Sequence, residues 1–440
     1  MVELKSDIEN SMVIQTWITP ELRVKKPSKT PATDDGRKAL LLMAEGLGIP
    51  QSCVLFDENN KGYKRAANLM TLSAEEIYDL IRESMEGLDK YMIDGTEEYA
   101  KFAVEANTVY LKNYLFAKRY GSEEVKARFL DYCLKIQAKM HQRIGDLDWM
   151  SDATKARAQA KIDNLTFMIG YPDKWIEDAL VTEEKLNDVT CYLEELFLLG
   201  RYDLARYLTI AGQPKRDYVM DYIICHSINL FELNAYCLAG QNAFFISLAY
   251  LLPPFDFKDV TEARTFANLI TVGHEMTHLF DVVGATYNEQ GVREDWWTPT
   301  DKAAFEERCK QLAECYSSLE VAPALMPGVY CNGEITLSEN IADLGGFNVL
   351  LDVYTEHLQQ QGFSGEGLKV QQRRFFESAA DRYRASLSEN CLKSLLDDLH
   401  APYRERVNGV VRNNDLWYEL YNVTPDNKLF LPAEKRSRIW

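Results

Sequence analysis

The chain has 440 residues, of which 46% are hydrophobic and 26% are charged. This composition predicts a large buried core and excludes a disordered chain. The 49 Lys and Arg residues against 67 Asp and Glu residues give a net charge of −18, which argues against nucleic-acid partners and against adhesion to anionic lipid.

The first 190 residues are predicted to form an irregular arm followed by a helical domain. Residues 1–35 are polar and contain three prolines, so we interpret them as the arm. From 36 to 190 apolar residues recur at spacings of three and four. The clearest predicted helices are 69–91, 123–144 and 151–164, the last with Ser151 as its N-cap. The motif Ile-Gly-Tyr-Pro at 169–172 then breaks the helical run.

Residues 191–440 are predicted to form a second domain that is mostly helical with one small β element. The apolar segment 235–255 approaches the length of a membrane span, but polar residues at 240–242 interrupt it. We interpret it as a buried pair of strands with a turn at 240–242 and expect no membrane span. From Thr261 the pattern is helical again, with loops at 284–299 and 321–334. The predicted fold class is therefore mostly α with a small β element.

The cysteines and the N-terminus bear on the compartment. The nine cysteines are odd in number and form no CxxC pair, so we interpret them as buried or free thiols in a reducing compartment. The first residues include early acidic positions and no apolar core of a signal peptide. We expect a cytoplasmic protein, and a periplasmic or extracellular one if the sequence lacks its natural N-terminus.

The segment ITVGHEMTHLFD carries a metal-binding pattern. His274 and His278 are four residues apart on a predicted helix, so both imidazoles project from one face, with Glu275 between them. This HExxH spacing provides two nitrogen ligands for a tetrahedral zinc ion and a carboxylate that takes a proton from zinc-bound water. The alternative interpretation is two core or surface histidines on an amphipathic helix.

A catalytic zinc ion needs a third protein ligand and an open position. Glu339 can supply that ligand, although it also fits a capping box in which Thr336 is the N-cap. Asp281 and Asp343 are candidate acceptors for the far N–H groups of the two histidines, which would fix their tautomers. Alternatively, both aspartates are solvated charges on helices.

These motifs, together with several others, resemble the neprilysin and endothelin-converting-enzyme family of zinc metalloendopeptidases. The segments that carry the resemblance are HEMTHLFD (274–281), EDWWTP (294–299), TLSENIADLGG (336–346), LDWMS (147–151), IGYPDKW (169–175), NAY (234–236), LPPF (252–255), DLHAP (398–402), RVNG (406–409) and RIW (438–440). The resemblance implies a gluzincin with a thermolysin-like catalytic domain at 191–440 and an all-helical lid domain. Because family members are commonly longer, we expect an N-terminally shortened member with a partial lid at 36–190.

The resemblance also assigns roles in catalysis. It implies one Zn²⁺ per chain, bound by His274, His278 and Glu339. Glu275 would act as the base for the attacking water and then protonate the leaving amine. His400, oriented by Asp398, would stabilise the oxyanion, although a histidine beside an aspartate is more often structural when it is considered alone.

Four further residues are expected to bind the substrate. Asn234 would hydrogen-bond the peptide through its side chain and Ala235 through its main chain, so that the peptide lies as an added strand. Arg406 resembles the arginine that grips a substrate carbonyl in the family, and its alternative is a surface salt bridge. Phe255 ends the segment that follows the strand.

Some positions depart from the family pattern. Tyr250 stands where the family tends to have a smaller aliphatic residue in the pocket just after the cleaved bond, and Arg382 and Tyr383 stand where it tends to have Val-Trp. We expect this pocket to be smaller or more polar. Ser437 replaces a disulfide cysteine of extracellular relatives.

The predicted function is zinc-dependent hydrolysis of peptide bonds in oligopeptides by Glu-assisted attack of zinc-bound water. The alternative is a protein that binds zinc and peptides without turnover because the lid is incomplete, and a third interpretation is a structural protein without metal. The three remaining histidines, His141, His226 and His357, are predicted to be structural or exposed.

Overall fold

The computed structural model describes residues 112–173, 175, 228–252 and 261–440. Nearly all of these residues belong to one compact unit, made of Tyr120–Gly170 and Phe231–Trp440. The predicted arm, the predicted helix at 69–91 and the predicted domain boundary at 190 lie outside the described residues.

The described unit is mostly helical. Its α-helices are α1 (Glu123–Asp146), α2 (Asp152–Asp163), α3 (Glu262–Asn268), α4 (Ile270–Thr277), α5 (Pro299–Ser317), α6 (Leu337–Gln360), α7 (Gly365–Asp381), α8 (Glu389–Ser394), α9 (Tyr403–Arg412) and α10 (Asp415–Tyr421). Short 3-10 helices occupy Ala239–Gln241, Leu248–Leu251, His278–Phe280, Gly284–Thr286 and Ala433–Lys435. The predicted class, mostly α with a small β element, is confirmed. Helices α1 and α2 belong to the same unit as the later helices, although the sequence analysis placed them within the helical domain of 36–190.

Three strands form the β element, in the order β1–β3–β2. They are β1 (Thr166–Gly170), β2 (Ala235–Leu238) and β3 (Ala243–Ser247). Strand β3 is buried along its whole length, pairs with β1 in parallel and pairs with β2 antiparallel. The predicted strand pair with a turn at 240–242 is therefore present, with Asn242 in the left-handed conformation at φ 47°.

Strand β1 was not predicted from the sequence. The motif at 169–172 predicted only the end of a helical run, whereas Thr166–Gly170 is a strand. A five-residue parallel strand has no hairpin partner nearby in the chain, because Thr166 pairs with Ala243. Its strand character therefore depends on a contact that local patterns do not encode.

A buried carboxylate, Asp301, joins the starts of α2 and α5. It accepts hydrogen bonds from the hydroxyls of Ser151, Thr154 and Thr298, at 2.6 Å for Thr154 and 2.7 Å for Thr298. Burial raises the pKa of Asp301, but the hydroxyls outweigh that effect and lower the pKa to about 2. Ser151 occupies the predicted N-cap position of α2, but its side chain does not cap the helix because it is bonded to Asp301.

Helices α4 and α6 pack with their backbones almost in contact, through three glycines. A Cβ atom at Gly346 would lie 2.5 Å from the backbone nitrogen of His274, and one at Gly345 would lie 2.5 Å from the Thr277 side chain. A Cβ atom at Gly273 would lie 2.7 Å from the Leu350 side chain. The absence of side chains at these positions brings the two helices close enough to share one site.

Candidate functional site

The two histidines of the HExxH segment converge at the end of α4. The α-helix ends at Thr277, and His278 begins a 3-10 helix. The two imidazole rings are nearly perpendicular, with centroids 4.7 Å apart and Nε2 atoms 3.1 Å apart. The predicted convergence is present, although the second histidine lies in 3-10 rather than α geometry.

Each of these histidines faces a carboxylate through its other ring nitrogen. His274 Nδ1 lies 2.9 Å from Asp343 Oδ1, and His278 Nδ1 lies 2.7 Å from Asp281 Oδ2. An ionised carboxylate only accepts hydrogen bonds, so both Nδ1 atoms must carry the proton. In the neutral rings that a metal ion requires, both Nε2 atoms then present lone pairs to the site.

Glu339, in the first turn of α6, supplies a third acceptor. Its Oε2 lies 3.2 Å from His274 Nε2, and its Oε1 lies 3.5 Å from His278 Nε2. Burial raises the pKa of Glu339, but the nearby imidazoles hold that pKa well below its ordinary value. The capping-box alternative is not formed, because the Thr336 hydroxyl makes no cap hydrogen bond and donates to the Asn332 carbonyl at 2.9 Å.

The arrangement fits a zinc ion. One ligand atom from each of His274, His278 and Glu339 lies within 4.8 Å of the others, and the described ranges contain no second such group. Oε2 of Glu339 is buried without an aligned hydrogen bond. Two facing lone pairs and a carboxylate repel one another unless a cation lies between them. Ligands of a tetrahedral zinc ion are about 3.3 Å apart, which matches the spacings of 3.1–3.5 Å observed here.

Asp343 also forms a buried ion pair. It accepts from Arg406 Nε and Nη2, both at 2.7 Å, while the Tyr383 hydroxyl lies 3.4 Å from its Oδ1. Burial raises the pKa of Asp343, but Arg406 and then His274 hold that pKa well below its ordinary value. Arg406 is therefore not the surface salt bridge that the sequence left open. Its Nη1 atom has no hydrogen-bond partner among the described residues.

A buried lysine organises the loop that follows His278. Lys161, on α2, is 1% exposed, and its Nζ donates to the carbonyls of Leu279, Gly284 and Tyr287 at 2.6–2.7 Å. Burial lowers the pKa of Lys161 to about 8. The same loop holds Asp281, whose Oδ1 accepts from two backbone N–H groups of the loop, at 2.8 and 2.6 Å.

Two residues that hold Asp281 and the loop after His278 were not predicted from the sequence. The Ser338 hydroxyl donates to Asp281, and Lys161 holds the loop. No spacing rule flags a serine beside a ligand, or a lysine in a helix whose neighbours lie more than a hundred residues later. Only the tertiary structure reveals both roles.

His400 lies in the loop between α8 and α9, beside Glu339. Its Nε2 is 3.0 Å from Glu339 Oε2, and its Nδ1 is 2.9 Å from Asp398 Oδ1. The Asp398 carboxylate also accepts from the His400 backbone N–H at 2.7 Å. The structure therefore brings the predicted pair together beside the candidate metal ligands, with the His400 side chain 46% exposed.

Strand β2 is an edge strand of the described sheet. The Asn234 carbonyl accepts from Ser247 N of β3 at 3.1 Å, so the main-chain groups of Ala235 point to the opposite side. The Asn234 side chain accepts from Ala235 N at 2.9 Å and donates to the Tyr236 hydroxyl at 2.8 Å. Among the described strands, none covers this edge. Phe255 lies outside the described residues.

A cleft of about 800 Å³ connects these groups. Its lining includes Asn234, Ala235, Tyr250, Arg264, Thr271, His274, Glu275, Asp381, Arg382, Tyr383, Arg384, Asp398, His400 and Arg406. Glu275 is 8% exposed and reaches the cleft beside the candidate metal ligands. Most of the residues predicted from sequence therefore share one cavity.

The remaining predictions concern residues away from the site. His141 contacts Asp163 at 2.8 Å and His357 contacts Glu262 at 2.9 Å, both near the surface, while His226 lies outside the described residues. The cysteines of the described ranges are not in disulfides, and Ser437 is buried. None of the helices in these ranges combines the length and the apolar character that a bilayer crossing requires.

Comparison with known proteins gives consistent matches. Two models described as peptidase family M13 match residues 39–172 and 234–437. The chain is 29% identical over 333 residues to the neutral endopeptidase of Lactobacillus helveticus, covering 74% of this chain and 47% of the relative. It is 26% identical over 376 residues to human neprilysin, covering 82% of this chain and 48% of the relative. The chain thus spans about half the length of the curated relatives it matches.

Several solved structures are similar to this one. The crystal structure of the Mycobacterium tuberculosis zinc metalloprotease ZMP1 with an inhibitor has a TM-score of 0.61 and 30% identity, covering 74% of this chain and 49% of that one. The structure of PepO from Lactobacillus rhamnosis has a TM-score of 0.62 and 28% identity, with the same coverage.

Proposed function

Because the chain belongs to peptidase family M13, we propose that it is a zinc-dependent endopeptidase that hydrolyses peptide bonds in oligopeptides. The observation that supports this proposal most directly is the spacing of His274, His278 and Glu339, whose ligand atoms lie as far apart as the ligands of a zinc ion. Glu275 lies beside them in the cleft. The neutral endopeptidase and neprilysin to which the chain is similar support the reaction class.

The three ligands would hold a zinc ion that supplies Lewis acidity, both to activate water and to polarise the scissile carbonyl. Glu275 accepts the proton of the attacking water and passes it to the leaving amine. His400, held by Asp398, donates a hydrogen bond to the developing oxyanion. Asp281 and Asp343 keep both histidines in the tautomer that a metal ligand needs.

The substrate peptide is held as a strand against the edge of β2. The main chain of Ala235 faces that edge, and the Asn234 side-chain oxygen, which accepts from Ala235 N in the structure, exchanges that hydrogen bond for one to the peptide. Nη1 of Arg406 is the donor available for a substrate carbonyl, because its other two nitrogens are bonded to Asp343. A role for Phe255 stays a prediction.

The test combines metal analysis with digestion of a diverse peptide library. We expect about one zinc ion per chain and peptide cleavage by the wild type, and a Glu275→Gln variant that keeps its zinc but loses cleavage. Zinc and peptide binding without cleavage by the wild type would instead support a binding protein. Cleavage by Glu275→Gln at the wild-type rate would contradict the mechanism.

A further inference from the structure

One wall of the cleft carries positive charge that its own carboxylate does not balance. Arg264 and Arg384 both pair with a single carboxylate, Asp381. Arg382 contacts no carboxylate among the described residues. Two guanidinium groups therefore share one anion and a third has none, in a chain whose net charge is −18. A local excess of cations against the overall charge of a protein is typical of a surface that binds an anionic ligand.

The guanidinium of Arg382 is fixed beside the first turn of α4. Its Nη1 donates to the Ala267 carbonyl at 2.8 Å, and its Nη2 donates to the Thr271 hydroxyl at 2.5 Å. Thr271 and Glu275 are four residues apart on the same helix face, so they are separated by about 6 Å along the axis. Arg382 is therefore bonded to a residue one helical turn before Glu275, the residue that is proposed to activate water.

Two interpretations of Arg382 can be separated. As a structural residue it would stabilise the C-terminal end of α3, where Ala267 lies, and neutral donors can do the same. As a recognition residue it would use its charge, since a guanidinium binds carboxylates with paired, charge-assisted hydrogen bonds. The half-buried position of Arg382 in the cleft wall favours recognition, because a cation there lacks an anionic partner among the described residues.

We propose that Arg382 is a specificity-determining residue, and that the cleft selects oligopeptides with a carboxylate next to the scissile bond. Arg384, whose side chain is 84% exposed beside the same wall, adds long-range attraction. This inference rests on the proposed function and names the substrate class of the same site. The carboxylate can belong to an Asp or Glu side chain or to the C-terminus of a short peptide.

The experiment uses matched peptides built around a bond that the library digest shows to be cleaved. The residue on each side of that bond is varied in turn among Glu, Gln and Leu, with the peptide C-terminus either free or amidated. We expect wild-type kcat/KM to favour Glu over Gln at one of these positions by about 10-fold to 100-fold. A preference that disappears on amidation assigns the carboxylate to the C-terminus, whereas a preference that persists assigns it to the side chain.

The variants separate charge from structure. Arg382→Gln keeps an N–H donor and should abolish the preference, whereas Arg382→Lys keeps the charge and should retain part of it. Arg384→Met, at an exposed side chain, should weaken the preference without affecting folding. Arg374→Met removes the same charge from the exposed face of α7, where Arg374 donates a hydrogen bond to Gln371, and should leave the preference unchanged. Zinc content and thermal unfolding verify that each variant is folded.

Binding of the same peptides to Glu275→Gln, measured by fluorescence anisotropy, tests the inference separately from turnover. If the wild type cleaves peptides but prefers Gln or Leu, or if Arg382→Gln keeps the wild-type ratio, the inference is wrong and the proposed function stands. If the library digest shows no cleavage, the Glu, Gln and Leu series is built on one arbitrary library peptide; tighter binding of its Glu members to Glu275→Gln then means that the proposed function fails and that carboxylate recognition by the cleft holds. Equal binding of Glu and Gln peptides in that case overturns both.

Discussion

Asp343 is expected to be the most sensitive support of the candidate zinc site, because it serves two partners at once. It accepts from His274 on one side and from both Nε and Nη2 of Arg406 on the other. Asp343→Asn keeps the volume of the side chain and removes its charge. Arg406 would then be a buried cation that has lost the carboxylate bonded to it.

The low exposure of the two side chains determines how much Asp343→Asn lowers the free energy of unfolding. Asp343 is 4% exposed and Arg406 is 13% exposed, so water cannot replace the lost anion. Removing one partner of a buried ion pair costs about 3–5 kcal/mol of unfolding free energy. The pair Asp131–Lys135 on α1 provides the control, since its side chains are 61% and 59% exposed and such helical pairs contribute about 0.3–0.5 kcal/mol.

The assay is urea denaturation of zinc-free protein, in which metal binding does not contribute to stability. Asp343→Asn should lower the free energy of unfolding by about 3–5 kcal/mol, and Asp131→Asn by about 0.5 kcal/mol at most. Asp343→Asn combined with Arg406→Met should be destabilised less than the sum of the single variants, with a coupling energy of about 2 kcal/mol. Additive single effects, or equal effects of Asp343→Asn and Asp131→Asn, would refute the reasoning. In zinc-loaded protein, a chelator competition should show about 10-fold to 100-fold weaker binding for Asp343→Asn.

Three other substitutions probe the frame of the site. Gly346→Ala should lower the free energy of unfolding by about 1–3 kcal/mol and weaken zinc binding, because the new Cβ atom would lie 2.5 Å from the backbone nitrogen of His274. Gly367→Ala is the control in the same denaturation assay; its Cβ atom would lie 4.0 Å from the nearest atom, so the variant should be neutral or stabilising. Lys161→Met leaves three carbonyls without their donor, so it should lower the free energy of unfolding by about 2–4 kcal/mol and weaken zinc binding in a chelator competition. Unchanged zinc affinity would show that the loop after His278 does not depend on the Lys161 ammonium group. Asp301→Asn should cost about 1–3 kcal/mol at pH 7. Since the folded pKa of Asp301 is about 2, the stability it adds is present above about pH 4 and is lost toward pH 2, so a gap between variant and wild type that stays constant over that range would contradict the assignment.

The parts of the fold that were predictable from the sequence depend on local periodicity. The helix predicted at 123–144 appears as α1, and the strand pair around 240–242 appears as β2 and β3, because apolar spacing and a polar turn both lie within short segments. Strand β1 was missed because its only described partner, β3, lies far along the chain. Ser151 is the N-cap residue of α2, as predicted, but its hydroxyl does not cap the helix because it donates to Asp301 of another helix.

The candidate site also has parts that were predictable from the sequence and parts that were not. The spacing of His274 and His278 and the family motifs were enough to nominate residues that the structure brings into one cleft. The sequence could not decide between a capping role and a metal role for Glu339, because both place a glutamate in a first helical turn. It also could not show that Arg406 is bound to Asp343, or that Arg382 is bound to α3 and α4, because those contacts exist only once the helices pack.

The close approach of α4 and α6 has a consequence for the order of events during folding. His274 and His278 can meet a metal ion within a single helix, but Glu339 reaches it only after the glycines have allowed the second helix to dock. A complete three-ligand site therefore requires that a loop of about sixty residues has closed. Tight zinc uptake would act as a reporter of helix docking, and the metal, once bound, as a removable cross-link that holds the two helices in register.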